Sequence, residues 1–170
     1  MREALIQWLG ESGLPQLSGD FLRAVPGMPP IMQSLHLLGL IVLMASIVMI
    51  CLRVLNIAAR RQDTVELAGR LFPWFFWALP LMLFSALPFL LARPQRYFYN
   101  PVFSIKMAAL FVALTMSLIL WRQWRKGLLA VDSAMLVNRI MALLCLLAWL
   151  LTALGGRWIA YADYLFWSGY

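Results

Sequence analysis

Residues 24–52, AVPGMPPIMQSLHLLGLIVLMASIVMICL, run for 29 positions without a Lys, Arg, Asp or Glu. About 20 such residues in a helix cross a hydrocarbon core of about 30 Å, so this stretch is long enough to span a membrane. Pro29 and Pro30 suit the first turn of that helix, where a missing N–H leaves no bond unmade. The first span is therefore read as about residues 30–52.

Working outward, residues 71–92 form a second uncharged run, bounded by Arg70 and Arg93. Its prolines at 73, 80 and 88 stand close to two helical turns apart, so kinks at Pro80 and Pro88 would bend it roughly the same way. A third span, about 102–124, has an uncharged centre from Met107 to Trp121 with Lys106 near one end. A fourth, about 138–160, has an uncharged centre from Ile140 to Gly156. In both, long basic side chains can reach toward head groups. Short connections between successive spans predict an all-α, polytopic membrane protein, an antiparallel bundle of four transmembrane helices over residues 30–160. It is preceded by an interfacial segment, 1–29, and followed by an aromatic tail, 161–170.

Composition agrees with that environment. The chain has 170 residues, 64% of them apolar and 12% charged, with a mean hydropathy of +0.82. Soluble domains carry roughly 45–50% apolar and about 25% charged residues. A net charge of +7 would raise the question of nucleic acid in a soluble chain, but here the basic residues flank apolar runs and serve head-group contact and orientation. No nucleic-acid partner is expected; the bilayer itself is. Cys51 and Cys145 lie inside spans without CxxC spacing, and read as small packing residues.

Before the first span, frequent Gly and Pro forbid one long helix. The N-terminus lacks the uninterrupted apolar core and small-residue cleavage site of a signal peptide. Leu5, Trp8 and Leu9 fall on one side of a short helix suited to lie in the interface, and a second amphipathic turn is expected from Ser18 to Val25. Counted by side, the first and third loops hold eight basic residues and the other side holds six. The positive-inside rule then places both termini outside, in the periplasm of a bacterial cell. The aromatic segments 97–99 and 158–167 fit an outer interfacial belt.

Chemistry centres on His36, the chain's single histidine, which shares a helix face with Met32, Gln33, Gly39 and Leu40. Imidazole there serves as a hydrogen-bonded structural group, a metal or haem ligand, or a partner for a quinone head group. A b-type haem commonly takes two axial histidines, so this chain would need Met or a second copy to complete the set. Copper(I) prefers soft ligands, and Met32 stands one turn from His36. Asn100, Lys106 and Arg157 are expected at the same side as His36, where they would form a cationic, aromatic-rimmed pocket for an anion or quinone oxygen; lipid anchoring is the plainer reading. All seven carboxylates lie outside the uncharged span centres, which argues against an ion-coupled transporter. The familiar catalytic patterns, such as HExxH and GxGxxG, are absent from the chain, and no enzyme activity is expected of it alone.

Four short pieces, Ser34-Leu35-His36-Leu37-Leu38-Gly39, Leu52-Arg53-Val54-Leu55, Asn100-Pro101-Val102-Phe103-Ser104-Ile105-Lys106 and Gly156-Arg157-Trp158-Ile159-Ala160-Tyr161, resemble an uncharacterised family of small bacterial four-span inner-membrane proteins, a domain of unknown function. Where that family often has an acidic residue before the Leu-Arg pair, this chain has Cys51, and where it often has a histidine at the inner end of the third span, this chain has Trp121 or Arg122. The resemblance implies an integral inner-membrane protein without implying an activity. A more distant similarity of architecture extends to copper-resistance D-type and b-type cytochrome membrane bundles. The expected function is a non-catalytic membrane subunit that binds a membrane or periplasmic partner, or a second copy of itself. A small-ligand site at its outer face would use His36, Asn100, Lys106 and Arg157. A haem- or quinone-binding redox component, and copper handling through Met32 and His36, are the alternatives.

Overall fold

The computed structural model describes residues 2–129 and 135–161. Two short helices, α1 (Arg2–Glu11) and α2 (Leu14–Ala24), precede the long α3 (Met28–Val54) and α4 (Thr64–Ala92). A short α5 (Pro94–Phe98) leads to α6 (Pro101–Arg125), and α7 (Met135–Trp158) ends in a single 3-10 turn at Ile159–Tyr161. Four of these helices, α3, α4, α6 and α7, are long and apolar enough to cross a membrane.

Local chemistry sets the ends. Gly27 takes a left-handed conformation, φ 89°, and the two prolines follow in the first turn of α3. Helix α4 starts at Thr64 rather than near residue 71 because the Asp63 carboxylate accepts from the N–H groups of Val65 and Glu66, both at 2.9 Å. Glu66 then sits in the positive first turn, so a charged turn extends the apolar span. The helix continues through Pro73, Pro80 and Pro88. Helix α2 begins at Leu14, four residues before the expected Ser18, since Pro15 is accommodated at the start of its first turn. On α1 the buried positions are Ile6 and Leu9, while Trp8 is 60% exposed. Leu9 of the expected face is buried and Trp8 is not, where α1 packs against α5 and α2. Most of the aromatic tail, residues 162–170, lies outside the described residues.

Helix α3 packs along α4, α6 packs along α7, and α3 against α7 joins the two hairpins, with a narrower contact between α4 and α6. The result is an antiparallel four-helix bundle. The starts of α3 and α6 and the ends of α4 and α7 share one end with α1, α2 and α5, here called the near end. Apolar side chains face outward as well as inward: Trp77 is 77% and Phe111 74% exposed, whereas Phe72 and Phe75 are 1% exposed. Helices apolar all round are what lipid contact selects.

The far end closes with aromatic rings. The Trp124 indole N–H donates to the Val65 carbonyl at 3.0 Å, and its ring lies 5.7 Å from Phe72. A Cβ on Gly69 would stand 3.2 Å from that indole, so the glycine seats the ring on α4. Trp121 and Phe76 meet edge to face at 5.6 Å.

Between the ends lies a buried polar cluster that joins α6 and α7. The Ser117 hydroxyl donates to the Ala113 carbonyl at 2.8 Å and accepts from the Trp149 indole N–H at 2.9 Å. Its single proton being committed to its own helix, the Cys145 thiol at 3.3 Å is the donor in their contact. Cys145 on α7 and Cys51 on α3 belong to the same buried core, and both thiols are free and fully buried. Ser117→Ala leaves the buried indole and thiol without an acceptor. It should cost about 1–3 kcal/mol, read as a lowered unfolding midpoint in detergent, whereas Thr115→Ala, which removes only an exposed hydroxyl bonded to its own helix, should leave the midpoint nearly unchanged.

Candidate ligand site at the near end

His36 stands two turns into α3, half-buried, with Nδ1 3.0 Å from the Ser85 hydroxyl of α4. Ser85 is fully buried, and its oxygen lies 2.8 Å from the Leu81 carbonyl and 3.1 Å from that of Met82. A serine hydroxyl has one proton, and the shortest contact assigns it to Leu81. Ser85 then accepts from Nδ1–H of His36. Neutral imidazole in this arrangement carries its proton on Nδ1 and keeps a lone pair on Nε2. That nitrogen is available to accept from a ligand hydroxyl or to coordinate a metal.

Lys106 lies on α6, half-buried, at the same end of the bundle as His36. Its stem crosses α7 at a pair of glycines. A Cβ on Gly155 would stand 3.1 Å from Lys106 Cβ and 3.6 Å from its Cα, and one on Gly156 would stand 3.6 Å from Nζ. The glycine pair therefore lets α6 and α7 approach closely while the ammonium group rests beside α7. Met32, one turn before His36, is buried at 5% exposure, and the Met82 thioether packs where a Cβ on Gly39 would stand, 3.2 Å away.

The other two expected site residues do different work. Asn100 is buried and caps α6: its Oδ1 accepts from the Val102 N–H at 2.9 Å, and its Nδ2 donates to the Ile159 carbonyl at 3.4 Å. It ties the start of α6 to the end of α7 and has its polar groups engaged. Arg157 is exposed, donates to the Tyr161 hydroxyl at 3.2 Å and lies over that ring at 5.4 Å. The structure thus places His36 and Lys106 at the same end of the bundle and directs Arg157 to its own helix end.

Sequence reasoning missed Ser85, the residue of α4 that meets the imidazole. A lone serine in a proline-containing apolar run carries no local signal, and only the α3–α4 packing shows what it faces. Cys145 likewise gave no local signal of its contact with Ser117, 28 positions earlier. Among the described residues no group of three or more His, Cys, Asp and Glu side chains converges on a metal-sized point; the Met32–His36 pair lies outside that set of ligand types.

Residues 24–162 match the model of a family described as a family of unknown function, DUF6644. No curated protein matches the chain, and no solved structure does.

With one histidine in the chain, imidazole nitrogen resonances of labelled protein report a single ring. The wild type should show one tautomer, protonated at Nδ1. Ser85→Ala should move the spectrum toward a tautomer mixture and cost about 1 kcal/mol of stability. Gly155→Val should cost more, about 1–3 kcal/mol, because backbone and Cβ of Lys106 must retreat. Gly39→Ala should cost less than Gly155→Val in the same melts, since it meets only flexible side chains.

Proposed function

We propose, from the premise that this chain belongs to the DUF6644 family of unknown function, that it is a non-catalytic module of the bacterial inner membrane. It engages a membrane or periplasmic protein partner and holds a small ligand at the near end of its bundle. The observation that carries the ligand site is an oriented imidazole at a helix interface near one end of an otherwise apolar bundle, with a half-buried cation, Lys106, at the same end. His36 is fixed by Ser85, and Lys106 lies against the glycine pair of α7. Polar groups at membrane depth are costly, and their convergence at a helix interface marks a site of use. The excess of basic residues on the first and third loops, eight against six, supports placing the near end and both termini on the periplasmic side.

A second reading has one observation in its favour. An ammonium donor at the same end of the bundle as an imidazole lone pair is complementary to a quinone or quinol head, which presents a carbonyl to the one and a hydroxyl to the other. In that reading the chain is a redox component, and His36 and Lys106 are the head-group contacts.

One preparation separates these readings. The protein is purified from native membranes in mild detergent after cross-linking, and its partners, extracted quinone, visible difference spectrum and metal content are determined together for wild type and His36→Ala. The proposal expects a partner recovered at near-equal amounts with the wild type, reduced at least several-fold by His36→Ala, and no stoichiometric haem or metal. Quinone retained by the wild type but lost in the variant moves the weight to the redox reading. A haem band at near-stoichiometric occupancy, or copper retained through Met32 and His36, overturns the proposal.

A further inference from the structure

The two cysteines are nucleophilic groups that the near-end site leaves unused. Both are free, fully buried and part of the central core. Cys51 lies on α3 and Cys145 on α7, the helices whose packing joins the two hairpins. Contacts elsewhere in the bundle fix their relative height. His36 meets Ser85 at 3.0 Å, and a Cβ on Gly39 would stand 3.2 Å from the Met82 side chain. Along the antiparallel pair α3–α4, three steps up one helix therefore match three steps down the other. Phe75 of α4 meets Trp149 of α7 edge to face at 5.8 Å, and these two helices run in the same direction. Cys145, four residues before Trp149, is thus level with Leu71, and Leu71 with Ile50, the chain neighbour of Cys51.

Counted this way, the two cysteines stand within about one helical turn of the same height. Axes of packed helices lie about 8–10 Å apart, and Cα atoms sit about 2.3 Å from each axis. Core-facing Cα atoms on α3 and α7 therefore come into the range of roughly 4.4–6.8 Å that a disulfide spans. Cys145 is held in place there by its contact with Ser117 at 3.3 Å.

Burial sets the class of oxidant. Water-soluble thiols and disulfides must reach a sulfur to exchange with it, and full burial within the spans denies them that access. A quinone dissolves in the bilayer, accepts two electrons together with two protons, and leaves as an uncharged quinol. Neutral thiols and a neutral quinone give a neutral disulfide and a neutral quinol, so no ion is left in a medium where one is costly.

We propose that Cys51 and Cys145 form a dithiol that a bilayer quinone oxidises to a disulfide between α3 and α7. Two S–H bonds break and one S–S bond forms. The dithiol is oxidised by two electrons, and the quinone takes those electrons and both protons and departs as quinol. The encounter takes place when the seam between the hairpins opens toward lipid. The product ties the α3–α4 hairpin covalently to the α6–α7 hairpin, through residues 94 positions apart, and a cross-link over so long a loop restricts the unfolded chain strongly. The quinone reacts and leaves, and His36 and Lys106 take no part.

The test exposes the reduced full chain, in mild detergent, to tetramethylbenzoquinone, whose ring positions are all blocked against a stable sulfur adduct. The protein is then denatured in acid, treated with a maleimide and read by intact mass and peptide mapping. Wild type should lose both reactive thiols together, fall in mass by two hydrogens, yield a peptide pair joined through 51 and 145, and release one quinol per chain. Its melting midpoint should rise, and glutathione should cleave the bond only after denaturation. Cys51→Ala and Cys145→Ala should each keep the remaining thiol and release no quinol above a protein-free blank; near-wild-type melting of the reduced variants shows that they are folded. Wild type that keeps both thiols, forms links only between chains, or loses one thiol at the rate of the single-cysteine variants would overturn the dithiol. His36→Ala should oxidise as wild type does, so failure of the ligand site and failure of the dithiol are separate results.

Discussion

In hydrocarbon a hydroxyl, thiol or indole without a partner costs several kcal/mol, and the arrangement of this bundle follows from how few partners are available. Ser46, Ser85, Thr115, Ser117 and Thr152 each donate to the carbonyl four residues earlier on the same helix. That commits every one of these protons locally and leaves only the oxygen lone pairs for contacts between helices. Two of them are used so. Ser85 receives His36 from α3, and Ser117 receives Trp149 and Cys145 from α7. These two links run one way, from a donor on one helix to a hydroxyl already satisfied on another, whereas the Trp124 indole donates to the Val65 backbone carbonyl. Lys106 cannot be treated this way, since an ammonium group brings three donors and a charge. It rests at a helix end against glycines instead of inside the core.

Where polarity does not set helix separation, glycine does. Gly39 makes room for Met82, Gly69 for Trp124 and Gly155 for Lys106, so each close approach pairs the smallest residue of one helix with a long or broad side chain of its neighbour. The three positions serve three different helix pairs: α3 with α4, α4 with α6, and α6 with α7. Without a hydrophobic driving force between helices in lipid, such packing supplies much of the association. The consequence for the site is direct, because Gly39 is one turn from His36 and Gly155 underlies Lys106. The spacing that holds the helices together also places the imidazole and the ammonium group.

The four spans were legible because they depend on length and on the absence of charge, both properties of one segment at a time. The helix ends were legible only in part: Asp63 as a cap for α4 moves that start back by a turn and a half or more, a decision made by two backbone N–H groups that no apolar window registers. At the site, His36 stood out as the single histidine and Lys106 as a charge inside a span. Asn100 and Arg157 were singled out by the same reasoning, yet one is spent on the α6 cap and the other on Tyr161. Polar type and depth along a helix do not distinguish a residue that faces a neighbour's ring from one that closes its own helix. Ser85 shows the reverse case, a residue whose importance comes entirely from the helix it faces.

The two ends of the bundle are built by different means, and that asymmetry gives the site its direction of access. At the far end Phe72, Phe76, Trp121 and Trp124 stack across α4 and α6, and the Asn138 side chain fastens the α6–α7 connection by donating to the carbonyls of Leu128 and Leu129. Rings packed at such distances leave no polar route inward. The near end is covered by α1, α2 and α5, short amphipathic helices that lean on α4 and on each other and bury few side chains, Ile6, Leu9, Ser18 and Pro94 among them. Elements with little buried apolar area open at lower cost than the spans they cover. A ligand that reaches His36 therefore arrives past these helices or sideways from the adjoining leaflet.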